Sequence, residues 1–263
     1  MRRRRRVLVT GATGTIGGIV AEDLADRWEM TLLSRRRIRR PGFRRLDVAH
    51  DYDRLAKLVA EHDAVVHLAY VEEDEETVDN FAMVKNVCRA ASEAPKRPRL
   101  VLASSIHAVG GWLDWGSEPF ASIARGDCSG LSSRPAPITT EKPLRPNGVY
   151  GALKGYIEIL GRQYSERGLE VVAIRFGGVR GDDSFPDEAG YHAFFLSRRD
   201  CTQVVSRAVE ARLGQNWNLV FAVSRNELRV HDISSAMRLI GYDPEDSAEE
   251  VMAQAEPVET RAS

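Results

Sequence analysis

The sequence predicts a single α/β domain spanning 1–263, built on a doubly wound parallel sheet with a small C-terminal substrate-binding lobe. Three observations predict it. Strand-like and helix-like stretches alternate along the chain. Interior strands read as unbroken apolar runs, as in Ala64-Val65-Val66-His67-Leu68, the pattern of a strand buried on both faces. The first strand runs straight into a loop with glycines at 11, 14 and 17. Strand–helix alternation of this kind closes a parallel sheet through right-handed crossovers.

Taken in order, Val7-Leu8-Val9-Thr10 is the first strand, and a helix-like run to Arg27 follows the glycine loop. Met30-Thr31-Leu32-Leu33 is the second strand, Gly42 to Leu46 a short third, and Tyr52 to Glu61 a helix. After the fourth strand, Glu75 to Glu93 is helical, with Val78, Phe81, Ala82, Val84, Val87, Cys88 and Ala91 on a broad apolar face. Leu100-Val101-Leu102-Ala103 is the fifth strand, about Gly148 to Arg167 a long helix, and Glu170 to Ile174 the sixth strand. Two stretches, at about 110–147 and 176–200, break the alternation and follow strand C-terminal ends, where open α/β sheets bind ligands. They are assigned to the substrate pocket, with a small C-terminal part at about 201–263.

Composition narrows the class. The chain has 263 residues, 43% hydrophobic, with a net charge of −1, which gives no global pull toward nucleic acid or an anionic membrane. No apolar run approaches the ~20 residues of a membrane span. The basic start Met1-Arg2-Arg3-Arg4-Arg5-Arg6 leads into a strand rather than a signal-peptide core. Cys88, Cys128 and Cys201 are scattered and odd in number, which fits neither a disulfide framework nor a zinc site. The expectation is a soluble cytoplasmic protein with no metal, nucleic-acid or membrane partner. The acidic run Glu72-Glu73-Asp74-Glu75-Glu76 reads as a solvated helix start.

The glycine loop carries the first chemical inference. Glycine lets the backbone turn sharply and approach phosphates without a Cβ clash. The exposed N–H groups and positive end of the next helix then favour a pyrophosphate. Strand before and helix after are the context that separates this loop from a chance glycine triplet.

The second inference rests on Ser105, Tyr150 and Lys154. Tyr150 and Lys154 stand at i and i+4 on one helix face. A free phenol with pKa ~10 is a poor base at neutral pH, and a neighbouring positive charge favours the phenolate. Ser104 and Ser105 end the fifth strand at the ligand edge of the sheet.

Together these residues make the chain resemble the extended, epimerase-like branch of the short-chain dehydrogenase/reductase superfamily, with its Rossmann-type sheet. The resemblance covers nearly the whole length. It implies a nicotinamide dinucleotide held by Gly11, Thr13, Gly14, Thr15, Ile16 and Gly17, by Ser34 and Arg35, by Asp47 and Val48 at the adenine, by Leu68 and Ala69, and by Tyr150 and Lys154. It implies Ser105, Tyr150 and Lys154 as the catalytic set, with Asn80 ordering a water relay to the lysine, and Ser105, His107 and Gly178 at the substrate. Within that branch the chain is similar to the uronate dehydrogenases and the short-chain-type glucose-6-phosphate dehydrogenases. The segments that carry this are Ala103 to Gly110, Arg145 to Gly151, Ile174 to Gly177, Phe195 to Asp200 and Leu239 to Pro244. Three positions depart from those relatives: Ile106 replaces an asparagine, Gly190 a carboxylate-binding arginine of the uronate enzymes, and Leu153 a serine. Many relatives form homodimers through the two long helices, which implies a homodimer here.

After the second strand, NAD enzymes place an acid that binds the ribose 2′-OH. Leu33-Ser34-Arg35-Arg36-Arg37 instead offers a hydroxyl and guanidinium groups that suit a 2′-phosphate. A solvated basic turn would read the same way. NADP is the favoured cofactor and NAD the second choice. His107 reads equally as a sugar contact or a hydrogen-bonded strand-end histidine, whereas Trp112 and Trp115 read first as loop packing and second as sugar platforms. The function expected is an NAD(P)-dependent oxidoreductase acting on a small-molecule sugar or polyol. The rivals are an NAD-dependent sugar epimerase/dehydratase and a non-catalytic NADP-binding redox sensor.

Overall fold

The computed structural model describes residues 3–72, 77–131, 133–186, 188 and 190–255. Seven parallel strands form one sheet in the order β3-β2-β1-β4-β5-β6-β7. They are β1 (Arg6–Thr10), β2 (Glu29–Ser34), β3 (Phe43–Arg45), β4 (Ala64–His67), β5 (Arg99–Ser105), β6 (Val171–Phe176) and β7 (Trp217–Ala222). The order reverses between β1 and β4, so the first two strand–helix units lie on one side of β1 and the rest on the other.

The two-residue period of a strand explains the layers. Val7, Val9, Ala64, Val66, Val101, Ala103, Val172 and Ile174 face one core. Leu8, Val65, Leu100, Leu102, Val171 and Ala173 face a second core on the opposite side. Every residue of β4, β5 and β6 is buried, which is why these strands read as continuous apolar runs. The first core is covered by α1 (Thr15–Asp23), α7 (Arg198–Glu210) and α8 (Ser234–Ile240). The second is covered by α2 (Tyr52–Ala60), α3 (Thr77–Glu93) and α5 (Val149–Ser165). Short helices α4 (Phe120–Ala124), α6 (Tyr191–Phe194) and α9 (Ala248–Ala255) complete the chain.

Two structural details extend the sequence reading. The fifth strand runs on through Ser104 and Ser105, which pair with Arg175 and Phe176 of β6. The C-terminal part is joined to the main sheet, because β7 pairs in parallel with β6 along its whole length. Within the acidic run, Glu73 to Glu76 lie outside the described residues, as do Met1 and Arg2. Among the described residues no helix is long and apolar enough to cross a membrane, and no group of three metal-ligating side chains converges.

Candidate active site

The site is a cleft of about 700 Å³ along the C-terminal edge of the sheet. It opens at the switch point between β1 and β4, where neighbouring crossovers diverge and leave a crevice. One end is the glycine loop. Gly11 has φ +69°, and a Cβ there would lie 2.6 Å from the Ala69 nitrogen. A Cβ at Gly17 would lie 2.1 Å from the Gly11 carbonyl oxygen. The loop after β4 is drawn against this turn by Thr10, whose Oγ1 accepts from Leu68 N at 3.2 Å and Ala69 N at 3.3 Å. Gly14 caps α1 without any side-chain hydrogen bond, and a Cβ on it would meet only the Gly11 oxygen, at 3.5 Å. The first-turn N–H groups of a helix lack intrahelical partners, and here Thr15, Ile16 and Gly17 line the cleft. A bare helix start, a missing side chain and converging amides fit a dinucleotide pyrophosphate.

Farther along this end, Ser34, Arg35 and Arg36 line the cleft with Leu46 and Val48. Ser34 organises the turn: its Oγ accepts from Arg36 N at 3.1 Å and lies 3.2 Å from Thr13 Oγ1. Asp47, expected at the adenine, does not line the cleft among the described residues. Its carboxylate instead accepts from Ala49 N at 2.9 Å and pairs with His50 at 3.3 Å, organising the start of α2.

The opposite end holds the residues that the sequence marks as candidates for the chemistry, Ser105, Tyr150 and Lys154. Tyr150, Lys154 and Glu158 follow at four-residue intervals on α5, so all three face the ends of β5 and β6. Each meets a different partner there. The Ser105 hydroxyl accepts from His107 N at 3.2 Å and lies near enough to the Tyr150 phenol to lower its pKa. Lys154 Nζ donates to the Ala103 carbonyl at 2.9 Å. Glu158 receives a bidentate pair from Arg175, at 2.8 Å to each oxygen, and accepts from Ser104 Oγ as well. This buried ion pair anchors the reactive helix face to the sheet. Four-residue spacing on the same face was the readable signal for Glu158.

Electrostatics separate Tyr150 from Lys154. Burial pushes the Tyr150 phenol above its ordinary value of 10.0, and the Ser105 hydroxyl pulls it back. The expected depression by Lys154 is therefore not the governing effect: Lys154 Nζ stands 5.3 Å from the Tyr150 ring centre and is committed to Ala103. Burial in turn pulls the Lys154 ammonium down to about 8. Tyr70 packs edge-on against Tyr150, with ring centres 5.1 Å apart, and lies under the Lys154 ammonium. It follows Leu68-Ala69 directly, so its place at the cleft was legible.

The remaining expected residues divide. His107 lines the cleft, packs edge-on to Tyr150 and pairs through Nδ1 with Asn147 Oδ1 at 3.0 Å. Gly178 lines it against the Tyr191 ring. Asn80 does not line it among the described residues; its amide clasps both backbone groups of Val71, at 3.0 and 2.9 Å. The side chain thereby fixes the loop that carries Tyr70. Of 110–147, no described residue lines the cleft, whereas Phe176 to Val179, Glu188, Tyr191 and Phe194 do. The first segment packs against the second. Trp115 lies on Gly190, where a Cβ would be 2.9 Å from the indole, and touches Phe194. Trp112 bonds Pro143 O through Nε1 at 2.9 Å. Both tryptophans are loop packing. Glu188 and Tyr191 sit in a segment assigned to the pocket, but no periodicity singles them out.

Comparison with known proteins bears on the family and the fold. The profile of the NAD dependent epimerase/dehydratase family matches residues 7–202. L-arabinose 1-dehydrogenase (NAD(P)(+)) of Haloferax volcanii is 33% identical, over 94% of this chain and 99% of its own. NAD-dependent glucose-6-phosphate dehydrogenase of the same organism is 27% identical, over 96% and 98%. The crystal structure of uronate dehydrogenase from Agrobacterium tumefaciens superimposes with a TM-score of 0.78 at 25% identity, over 99% of this chain and 91% of that one. With three quarters of its length under the family profile and this sheet, glycine loop and Ser/Tyr/Lys cluster, the chain belongs to the NAD dependent epimerase/dehydratase family.

Proposed function

We propose that the protein is an NAD(P)-dependent dehydrogenase that oxidises a hydroxyl-bearing carbon of a sugar, with NADP preferred over NAD. The observation that carries this reading is that Ser105, Tyr150 and Lys154 line one cleft with the glycine loop.

The bound dinucleotide supplies a nicotinamide that accepts a hydride and, when oxidised, a positive charge that favours a nearby phenolate. Ser105 donates a hydrogen bond to the reacting oxygen and holds it against Tyr150. Tyr150 takes the hydroxyl proton as the carbon loses its hydride, leaving a carbonyl, or a lactone when the carbon is anomeric. The hydride and the proton account for the two electrons and two hydrogens removed. Lys154, fixed by Ala103, presents its ammonium to the nicotinamide ribose. His107, held by Asn147, offers its second ring nitrogen to a sugar hydroxyl.

The NADP preference rests on the far end of the cleft. Ser34, Arg35 and Arg36 line it there, and no carboxylate does among the described residues. Guanidinium groups recognise phosphate through charge-assisted hydrogen bonds.

The test is a panel of aldoses, sugar acids and sugar phosphates with each dinucleotide, following the absorbance of the reduced nicotinamide. Turnover of at least one sugar is the expected result. Binding without turnover would overturn the reading in favour of a sensor, and epimer formation on retained NAD in favour of an epimerase.

A further inference from the structure

The reactive end of the cleft is unevenly charged. Among the described residues lining it, the carboxylates are Glu72 and Glu188, and the cation is Lys154, already held by the Ala103 carbonyl. Arg35 and Arg36 line the opposite end, beside Ser34. Two other cations come near without lining the cleft. Arg180 is exposed and close to both Asp182 and the Tyr191 hydroxyl, while Arg145 stacks on Trp112 at 4.9 Å. The wall at 190 has no room for a side chain, because Trp115 covers Gly190.

The same wall carries an unused hydrogen-bonding group. Tyr191 lines the cleft, is 5% exposed, and its hydroxyl has no hydrogen-bond partner among the described residues. Its backbone N–H donates to the Glu188 carbonyl at 3.1 Å, so the phenol and the carboxylate belong to one turn. Its ring packs on Gly178, where a Cβ would lie 2.5 Å from it.

We infer that this end of the cleft selects a neutral sugar ring and excludes one bearing a carboxylate or phosphate, with Glu188 as the specificity-determining residue. The inference rests on the sugar-dehydrogenase reading above. A sugar hydroxyl donates to a carboxylate and accepts from a phenol, so Glu188 and Tyr191 together match neutral hydroxyls. An anionic substituent would surrender its hydration while facing the carboxylates of Glu72 and Glu188, and Arg180, the cation that acts on Tyr191, stands outside the cleft lining. Rejection through like charge is a specificity device independent of attractive contacts.

Matched rings isolate the charge. The measurement is kcat/KM for galactose against galacturonate, and for glucose against glucuronate and glucose 6-phosphate, in the wild type, Glu188→Gln and Glu188→Arg. The wild type should favour the neutral ring by at least about tenfold, since like charges brought together oppose binding. Glu188→Gln should narrow that ratio several-fold, and Glu188→Arg should narrow it further by raising kcat/KM for the acids. Thermal protection by galactose and by galacturonate, measured on the wild type with dinucleotide present, gives a readout independent of turnover; protection by the neutral sugar alone is expected. A wild type that handles a uronate or the phosphate as well as the neutral ring overturns the inference, and so does a ratio unchanged in both variants. Failure of every ring, neutral or charged, to reduce either dinucleotide is a different result: it removes the sugar-dehydrogenase reading itself, and this inference with it.

Discussion

Lys154 Nζ donates a 2.9 Å hydrogen bond to the carbonyl oxygen of Ala103, joining the buried face of α5 to the end of β5. An ammonium 5% exposed is costly, and its lowered pKa of about 8 records that cost. Between about 8 and the ordinary 10.5 the unfolded chain binds more protons than the folded one, so stability rises with pH across that window. Below it the full cost is present. Lys154→Met should therefore stabilise the protein at neutral pH by about 1–3 kcal/mol, an advantage that disappears above that window. Activity should fall in the same variant. Thermal denaturation at pH 7 and pH 10, alongside kcat/KM, checks both halves.

Tyr150→Phe removes only the phenolic oxygen and keeps the ring that packs against Tyr70 and His107. Turnover should drop by ~10²–10⁴-fold, the usual worth of a positioned acid/base. Dinucleotide affinity should stay within about threefold by titration, because the glycine loop, Ser34, Arg35 and Lys154 remain to hold it and only one of its contacts is lost. Retention of more than about a tenth of wild-type turnover would remove Tyr150 as the base.

Ser105→Ala should act on the pH profile as well as on the rate. Oxidation requires the deprotonated phenol, so it rises with pH. The Ser105 hydroxyl lowers the Tyr150 pKa against the effect of burial. Its loss should move the rising limb of kcat/KM to higher pH while lowering the plateau. An unmoved limb with a lower plateau would confine Ser105 to holding substrate.

Glu158 and Arg175 form a buried bidentate pair. Glu158→Ala leaves the guanidinium buried without its counter-charge, at a cost of about 3–5 kcal/mol. The expected outcome is a clear fall in denaturation midpoint, larger than that of Tyr150→Phe. Equal midpoints would mean that solvent reaches Arg175.

The cofactor reading turns on Ser34 and Arg35. NADP should give a kcat/KM at least about tenfold above that of NAD, equivalent to one charge-assisted hydrogen bond. Ser34→Asp combined with Arg35→Ala should reverse the order, through repulsion of the 2′-phosphate and a new acceptor for the 2′-OH. A wild type that prefers NAD would show that the arginines do not select the cofactor.

The sheet was legible because burial on both faces leaves a one-dimensional trace: Val65 and Val66 must both be apolar when each meets a different core. The glycine loop was legible for a similar reason, since the close approach of Gly17 to Gly11 leaves no room for any other residue. The four-residue step from Tyr150 to Lys154 fixed their common face. Where the trace depends on partners distant in sequence, the reading thinned. Trp112 and Trp115 read as loop packing, but their partners Pro143 and Gly190 lie far away in sequence and only the structure names them. Asn80 carried a relay role by resemblance, while its amide is engaged by Val71.

By itself, then, the sequence determined the parallel sheet, the tight glycine loop and the common helix face of Tyr150 and Lys154, because each follows from backbone sterics or helical periodicity within a few residues. Tertiary structure alone decided the chemistry around them. It brought Ser105 and Tyr150 into one cleft, committed Lys154 to Ala103, buried Glu158 with Arg175, and placed Glu188 and Tyr191 along the same cleft. Charge, burial and hydrogen-bond satisfaction are properties of neighbours in space, and loops of irregular backbone carry no period from which those neighbours can be read.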